Sequence, residues 1–191
     1  EQQGFRIVLD PYADGWIPGL SGLHLEGDAV FCRHSHGDHA YTQAVALNPS
    51  NQEFPFPVEI LESFHDDQQG ALRGENRIHL FRFDGITVAH LGDLGHIPGE
   101  EVLKKLEGVD CLLIPVGGFY TIDPDTAARL VELTQPKVTV PMHYRTDSTG
   151  FDVLAHIDTF TAKFDQVNSC VNSFTLTGEE PQQILVIDYK P

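Results

Sequence analysis

The sequence predicts an α/β protein, and three features carry that expectation. Short apolar, β-branched runs separated by loops and a hairpin fill the first half. From residue 100 onward such runs alternate with amphipathic helical stretches, and one of them, CLLIPV at 111–116, is apolar almost throughout, as expected of a strand covered on both faces.

Taken in order, residues 5–9 (FRIVL) read as a strand ended by Asp10-Pro11, since proline cannot continue the ladder. Residues 12–27 contain Gly, Pro and Trp without a sustained period and are expected as a loop over the mouth of a site, with Trp16 packing that loop down or touching substrate; His24 there carries little signal. Residues 29–33 (AVFCR) read as a buried strand, 48–57 as loop, 58–61 (VEIL) as a strand delivering His65, and 68–76 as loop, in which Arg73 is either solvated or a holder of an anionic substrate group.

Asp84-Gly85 between 77–83 and 86–90 is the strongest hairpin signal in the chain. His79 falls on the alternate face of the first of these strands and reads as structural. Residues 100–107 form an amphipathic helix with acids in its first turn and Gly108 after its end; Asp123-Pro124 caps a second helix whose buried stripe is Ala127, Leu130 and Val131, and Pro136 marks its stop. Between them Gly117-Gly118 ends the strand with exposed backbone, and Tyr120 either reaches the site or, as the preferred reading, packs. Residues 138–141 are a strand ending near His143. Asp152 is expected to cap a third helix with Val153, Ile157, Phe160 and Phe164 on its buried face and a solvated His156, and two short strands near Phe174 and at 184–187 close the chain.

The stretch 31–39, FCRHSHGDH, puts three imidazoles and a carboxylate into six residues, which no hydrophobic core requires. Histidine nitrogen and aspartate oxygen together suit a divalent transition metal. If the preceding strand ends at His34, then His34 and His36, two apart in extended chain, project to one side and share an ion. Gly37 permits a tight turn that sends Asp38 and His39 elsewhere, toward a second ion. Downstream, Asp93 sits in a glycine-flanked turn (HLGDLGH) with His90 and His96 beside it as candidates for proton donation or for orienting a ligand.

The HxHxDH pattern at His34, His36, Asp38 and His39 resembles the signature of the metallo-β-lactamase-fold hydrolases. The remaining motifs of that family follow in order: Asp10 at the end of an early strand, a lone His65, Asp93 in its turn and the late His143 in VPMHY. HLGDLGH, PVGGFYTID and PMHY look most like the branch related to ascorbate-6-phosphate lactonase. The resemblance implies an αββα sandwich, a single domain over 1–191 lacking its first native strand, and ligands on loops along one sheet edge. It further implies that His34, His36 and His65 hold one ion, Asp38, His39 and His143 the other, that Asp93 bridges them, and that Asp10 orients a ligand histidine without touching metal. The expected catalytic set is Asp38, Asp93 and His90. Two zinc ions are expected, with manganese or iron as substitutes, and His39 favours hydrolysis over di-iron redox chemistry. The implied activity is attack of a metal-bridging hydroxide on a small ester, lactone or phosphodiester; the alternative is a non-catalytic metal-containing binding protein of the same fold.

Composition narrows the partners. With 12 basic and 28 acidic residues, a formal charge of −16 argues against a nucleic-acid backbone as ligand, because that affinity comes from basic patches. No run reaches the ~18 apolar residues of a membrane span. Cys32, Cys111 and Cys170 are an odd set in a chain poor in cysteine, which fits reduced thiols in a cytoplasmic protein. A small-molecule substrate is therefore expected.

Overall fold

The computed structural model describes residues 1–32, 40–48 and 55–190. Eleven strands are present among them: β1 (Ile7–Leu9), β2 (Leu25–Gly27), β3 (Ala29–Phe31), β4 (Val45–Leu47), β5 (Val58–Phe64), β6 (Glu75–Phe83), β7 (Ile86–His90), β8 (Cys111–Pro115), β9 (Val138–Met142), β10 (Val167–Val171) and β11 (Gln183–Asp188). Seven of them form one sheet in the order β10-β11-β9-β8-β7-β6-β5, while β1 pairs with β3 and β2 with β4. Only β6 runs against its neighbours; every other pairing in the long sheet is parallel. Strands β5, β7, β8, β9, β10 and β11 therefore end on the same edge.

The hairpin of β6 and β7 forms where Asp84-Gly85 predicts it. Both residues have positive φ, 46° and 91°, the two-residue turn whose twist matches the flanking strands.

Side-chain alternation then sorts the two faces of the long sheet. Ile78, Leu80, Ala89, Leu112, Ile114 and Ile184 share a cluster with residues of the three helices, α1 (Glu100–Leu106), α2 (Pro124–Thr134) and α3 (Ile157–Thr161), through Leu106, Ala127, Leu130 and Phe160. On the other face Cys111, Val138, Val140 and Leu185 pack with Phe174 and Leu176. Further along that face, Phe31 of β3 meets Phe81 edge-on with ring centroids 5.4 Å apart and His79 at 5.7 Å. The short N-terminal strands are thus the second β layer, and His79 is a packed aromatic of the interface, as its register predicts. This is the metallo-β-lactamase type of α/β sandwich. Among the described residues, the N-terminal layer carries a single 3-10 turn, Thr42–Ala44.

Helix α2 starts as the sequence dictates: the Asp123 carboxylate accepts from Thr126 N at 2.7 Å, and Pro124 occupies the first turn. The third helix departs from expectation. It starts at Ile157, capped by His156 Nδ1 accepting from Asp158 N, and Val153 is exposed. Asp152 caps nothing because the backbone beside it is engaged elsewhere: Ala155 N donates to Gly117 O and Arg145 N to Ala155 O. His156, rather than being merely solvated, also has its Nε2 3.4 Å from Asp147 Oδ1.

Three smaller differences have similar causes. Residues 25–27 are a strand inside the expected loop, and Glu75-Asn76 already belong to β6. The penultimate strand lies at 167–171 instead of near Phe174; its five residues, VNSCV, are mostly exposed and do not alternate apolar with polar, so hydrophobic periodicity could not mark it.

Candidate metal centre

Three of the expected ligands converge at the common strand edge. His65 follows β5, His143 follows β9, and Asp93 lies in the turn after β7. The Asp93 carboxylate stands between the two imidazoles: Oδ2 is 3.3 Å from His65 Nε2 and Oδ1 is 3.8 Å from His143 Nε2. Asp93 and His65 are buried. The other four expected ligands, His34, His36, Asp38 and His39, lie outside the described residues. Before them, β3 ends at Phe31 beside Asp10, whose N donates to Phe31 O at 3.0 Å.

This donor set suits zinc or a similar cation. Two ligand atoms bonded at ~2.0–2.1 Å to a tetrahedral ion stand roughly 3.3 Å apart, which is the His65–Asp93 spacing. Imidazole nitrogen with carboxylate oxygen is also the chemistry such ions favour.

Glycine makes the convergence possible at two points. A Cβ on Gly95 would lie 2.3 Å from His65 C and from Asp66 N, so only glycine lets the Asp93 turn press against the end of β5. A Cβ on Gly117 would lie 2.0 Å from His143 O. His143 itself has φ 56°, a left-handed turn at the end of β9. Gly117, expected as exposed backbone, is a contact surface for a ligand residue.

Two buried polar residues that sequence reasoning missed hold the segments beside these ligands, Asn76 the Asp93 turn and Asp66 the loop after His65. Asn76 Oδ1 accepts from Asp93 N at 2.9 Å, while its Nδ2 donates to Leu91 O at 2.9 Å and Ser63 Oγ at 2.8 Å. One amide thereby ties β5, β6 and the ligand loop. Asp66 receives four backbone N–H bonds, from Gln68, Gly70, Leu72 and Arg73. Burial pushes its carboxyl up, but these donors outweigh burial and bring it down to about 2. Neither residue has a motif; Asn76 falls at the junction of a loop and a strand, and the available hint is an aspartate directly after a ligand histidine. His96 has a comparable task, its Nε2 accepting from Phe64 N at 3.3 Å and its Nδ1 lying 2.9 Å from Ile97 O, which fixes the strand end that carries His65.

His90 is buried with Nε2 3.7 Å from Asp10 Oδ2 and Nδ1 accepting from Gly92 N at 3.3 Å. Asp10 has φ 48°, a conformation aspartate tolerates better than most residues. The pair sits below the edge, next to the Asp93 turn, and a role for His90 in meeting a leaving group directly does not fit its burial.

A cavity of about 1400 Å³ opens above His65, Asp93 and His143. Its wall includes Trp16 and Ile17 from the 12–27 loop, Leu72 and Arg73 from the loop after His65, Tyr120, and Tyr144 with Asp188. The 12–27 loop lies over the mouth as expected, fastened by Gly150 N donating to Pro18 O at 2.9 Å and by Ser21 N donating to Tyr189 Oη at 3.3 Å. Trp16 and Tyr120 are part of the wall instead of loop packing; the Tyr120 ring stands edge-on to His143 with centroids 6.3 Å apart. Burial, and then the nearby Asp188 charge, raise the Tyr144 phenol. Cys111 and Cys170 are free thiols, and burial pushes Cys111 up to about 12, so it stays neutral.

Comparison with known proteins agrees with this geometry. Residues 1–143 match the β-lactamase superfamily domain. The chain belongs to the metallo-β-lactamase superfamily. A solved protein from Thermotoga maritima, assigned to the zinc-dependent hydrolases of this superfamily, is 31% identical; the match covers 100% of this chain and 93% of that one with a TM-score of 0.77. UPF0173 metal-dependent hydrolases of Thermococcus onnurineus and Carboxydothermus hydrogenoformans are 29% and 27% identical. They cover 74% and 76% of this chain and 78% and 80% of their own lengths. A metallo hydrolase from Ignicoccus hospitalis, 20% identical with a TM-score of 0.57 over 85% of this chain and 84% of its own, shares the fold. Among the described residues no helix is long and apolar enough to cross a membrane.

Proposed function

We infer that this chain is a metal-dependent hydrolase acting on a small ester, lactone or phosphodiester in the cavity above the strand edge. The observation that carries the reading is the Asp93 carboxylate, with one oxygen toward His65 and the other toward His143. His34, His36 and His65 would hold one cation and Asp38, His39 and His143 a second, with Asp93 a ligand shared between them. Zinc suits the nitrogen-rich set, and manganese or iron would also accept it. When bound, such a pair supplies an activated water and polarises the substrate oxygen.

The chain's own residues do the rest. Asn76 and Gly95 fix Asp93 against His65, so its carboxylate is held before substrate arrives. His90 acts through Asp10 and the Gly92 turn as a positioning residue. Trp16, Ile17 and Tyr120 exclude water from the mouth, and a lactone substrate would accord with the resemblance of HLGDLGH and PMHY to the ascorbate-6-phosphate lactonase branch. The zinc-dependent assignment of the Thermotoga relative supports the metal.

The reading is tested by elemental analysis of the purified protein together with turnover on lactones, thioesters and phosphodiesters, using His36→Ala and Asp93→Ala as controls. Metal at about two per chain and turnover lost in both variants is the expected result. Activity indifferent to both changes overturns it, and stoichiometric metabolite binding without product would instead favour the non-catalytic alternative.

A further inference from the structure

We propose that Arg73 is an anion anchor in this cavity and that the natural substrate carries a carboxylate or phosphate beside an apolar or aromatic body. The inference rests on the hydrolase reading for the word substrate, and on separate observations for the anchor.

Arg73 is the one lysine or arginine among the described residues of the cavity wall. In a chain with 28 acids to 12 bases, eight of the described cations make ion pairs with carboxylates. Arg73 is not among them. Its guanidinium instead donates through Nη2 to Phe119 O at 2.8 Å and stands 6.0 Å from the Tyr120 ring. Neither contact neutralises it, and the remaining N–H groups keep the planar fork that matches carboxylate or phosphate oxygens two at a time.

The side chain is also held in place, which distinguishes it from a solvated surface arginine. At its root, Arg73 N donates to the buried Asp66 at 2.7 Å, immediately after His65. At its tip, the acceptor carbonyl belongs to Phe119, which has φ 58°, an unfavourable conformation for an aromatic residue. Strain of that kind persists where surrounding structure enforces it, and it clusters at ligand sites. Through Tyr120, which also faces the His143 ring, the guanidinium lies within the length of one small molecule from the metal centre. Leu72 and Trp16, both exposed on the cavity wall, offer the apolar contact.

The test is calorimetric titration of zinc-loaded protein with phenyl phosphate, phenylacetate and neutral benzyl alcohol, for the native chain, Arg73→Gln and Arg73→Lys. The affinity ratio of anion to alcohol should fall roughly 10- to 100-fold in Arg73→Gln and recover in part in Arg73→Lys. A fall confined to one anion supports the anchor and identifies its chemistry. A ratio unchanged for both anions overturns it. Turnover of neutral esters by the native protein is measured alongside: Arg73-dependent binding without any turnover overturns the hydrolase reading alone, and turnover with an unchanged ratio overturns the anchor alone.

Discussion

At the strand edge Asp93 is 1% exposed, His65 is 7% exposed and Asn76, which holds the turn, is fully buried; at the mouth of the same cavity Trp16 and Leu72 are 51% and 62% exposed. The first region is fixed by strand ends, a buried amide and backbone contacts that tolerate no Cβ. The second is made from loops joined by a few contacts, as Pro18 O meets Gly150 N and Arg73 meets Phe119 O. The difference separates chemistry from selection: groups that must share an ion are placed by the sheet, and groups that choose the substrate sit where side chains can change without disturbing it.

Substitutions break or sharpen this contrast in a graded way. The largest effect is expected from Asp93→Ala, which removes the group between His65 and His143. Metal affinity should fall by more than the roughly 10- to 100-fold typical of supporting residues, read as metal retained after dialysis, with turnover lost in parallel.

Asn76→Ala comes next. It leaves Asp93 N, Leu91 O and Ser63 Oγ without their buried partner, and unfolding in urea should show a loss of roughly 3 kcal/mol or more. Metal affinity should weaken with it, although Asn76 touches no expected ligand atom of the ions. Equal stability in the variant would show that the amide is not what holds the Asp93 turn.

Gly95→Ala should destabilise by roughly 1–3 kcal/mol, because the added methyl meets backbone of His65 and Asp66. A denaturation midpoint equal to that of the native chain would mean that the two segments separate easily.

Acid titration probes the loop that joins the two regions. The Asp66 carboxyl is depressed from 3.8 to about 2, so its contribution to stability is complete above the unfolded value and disappears as pH falls through that interval. The Asp66→Asn variant should therefore show a flatter dependence of urea midpoint on pH between 4 and 2 than the native chain. Parallel profiles would assign the acid sensitivity elsewhere.

The smallest effect on folding belongs to the mouth. Trp16→Ala should change stability by no more than about 0.5 kcal/mol, while raising KM for substrates with an apolar body. A change in folding as large as that of Gly95→Ala would place Trp16 with the edge instead of the mouth.

Much of the edge was legible in advance. Asp84-Gly85 declared its hairpin, Asp123-Pro124 its helix start, and the order of Asp10, His65, Asp93 and His143 matched the family pattern, because strand ends and caps depend on residues near in sequence. The third helix was misplaced because Ala155 and Arg145 bond to each other and to Gly117, partners that local pattern does not reveal. Tyr120 and Trp16 were weighed as packing for the same reason: an aromatic in a loop looks alike whether it faces a core or a cavity.

By itself the sequence determined the α/β class, the succession of strands and helices, the residues suited to binding metal, and the superfamily. The tertiary structure alone decided that one carboxylate lies between two particular imidazoles, that Asn76 braces its turn and Asp66 the loop after His65, and that Arg73 is fastened at the cavity wall without a carboxylate partner among the described residues. The division has a physical cause. Propensity, capping and alternation act over a few residues, whereas a cavity is closed by contacts between segments far apart in the chain, and their energies depend on distances that no local pattern encodes.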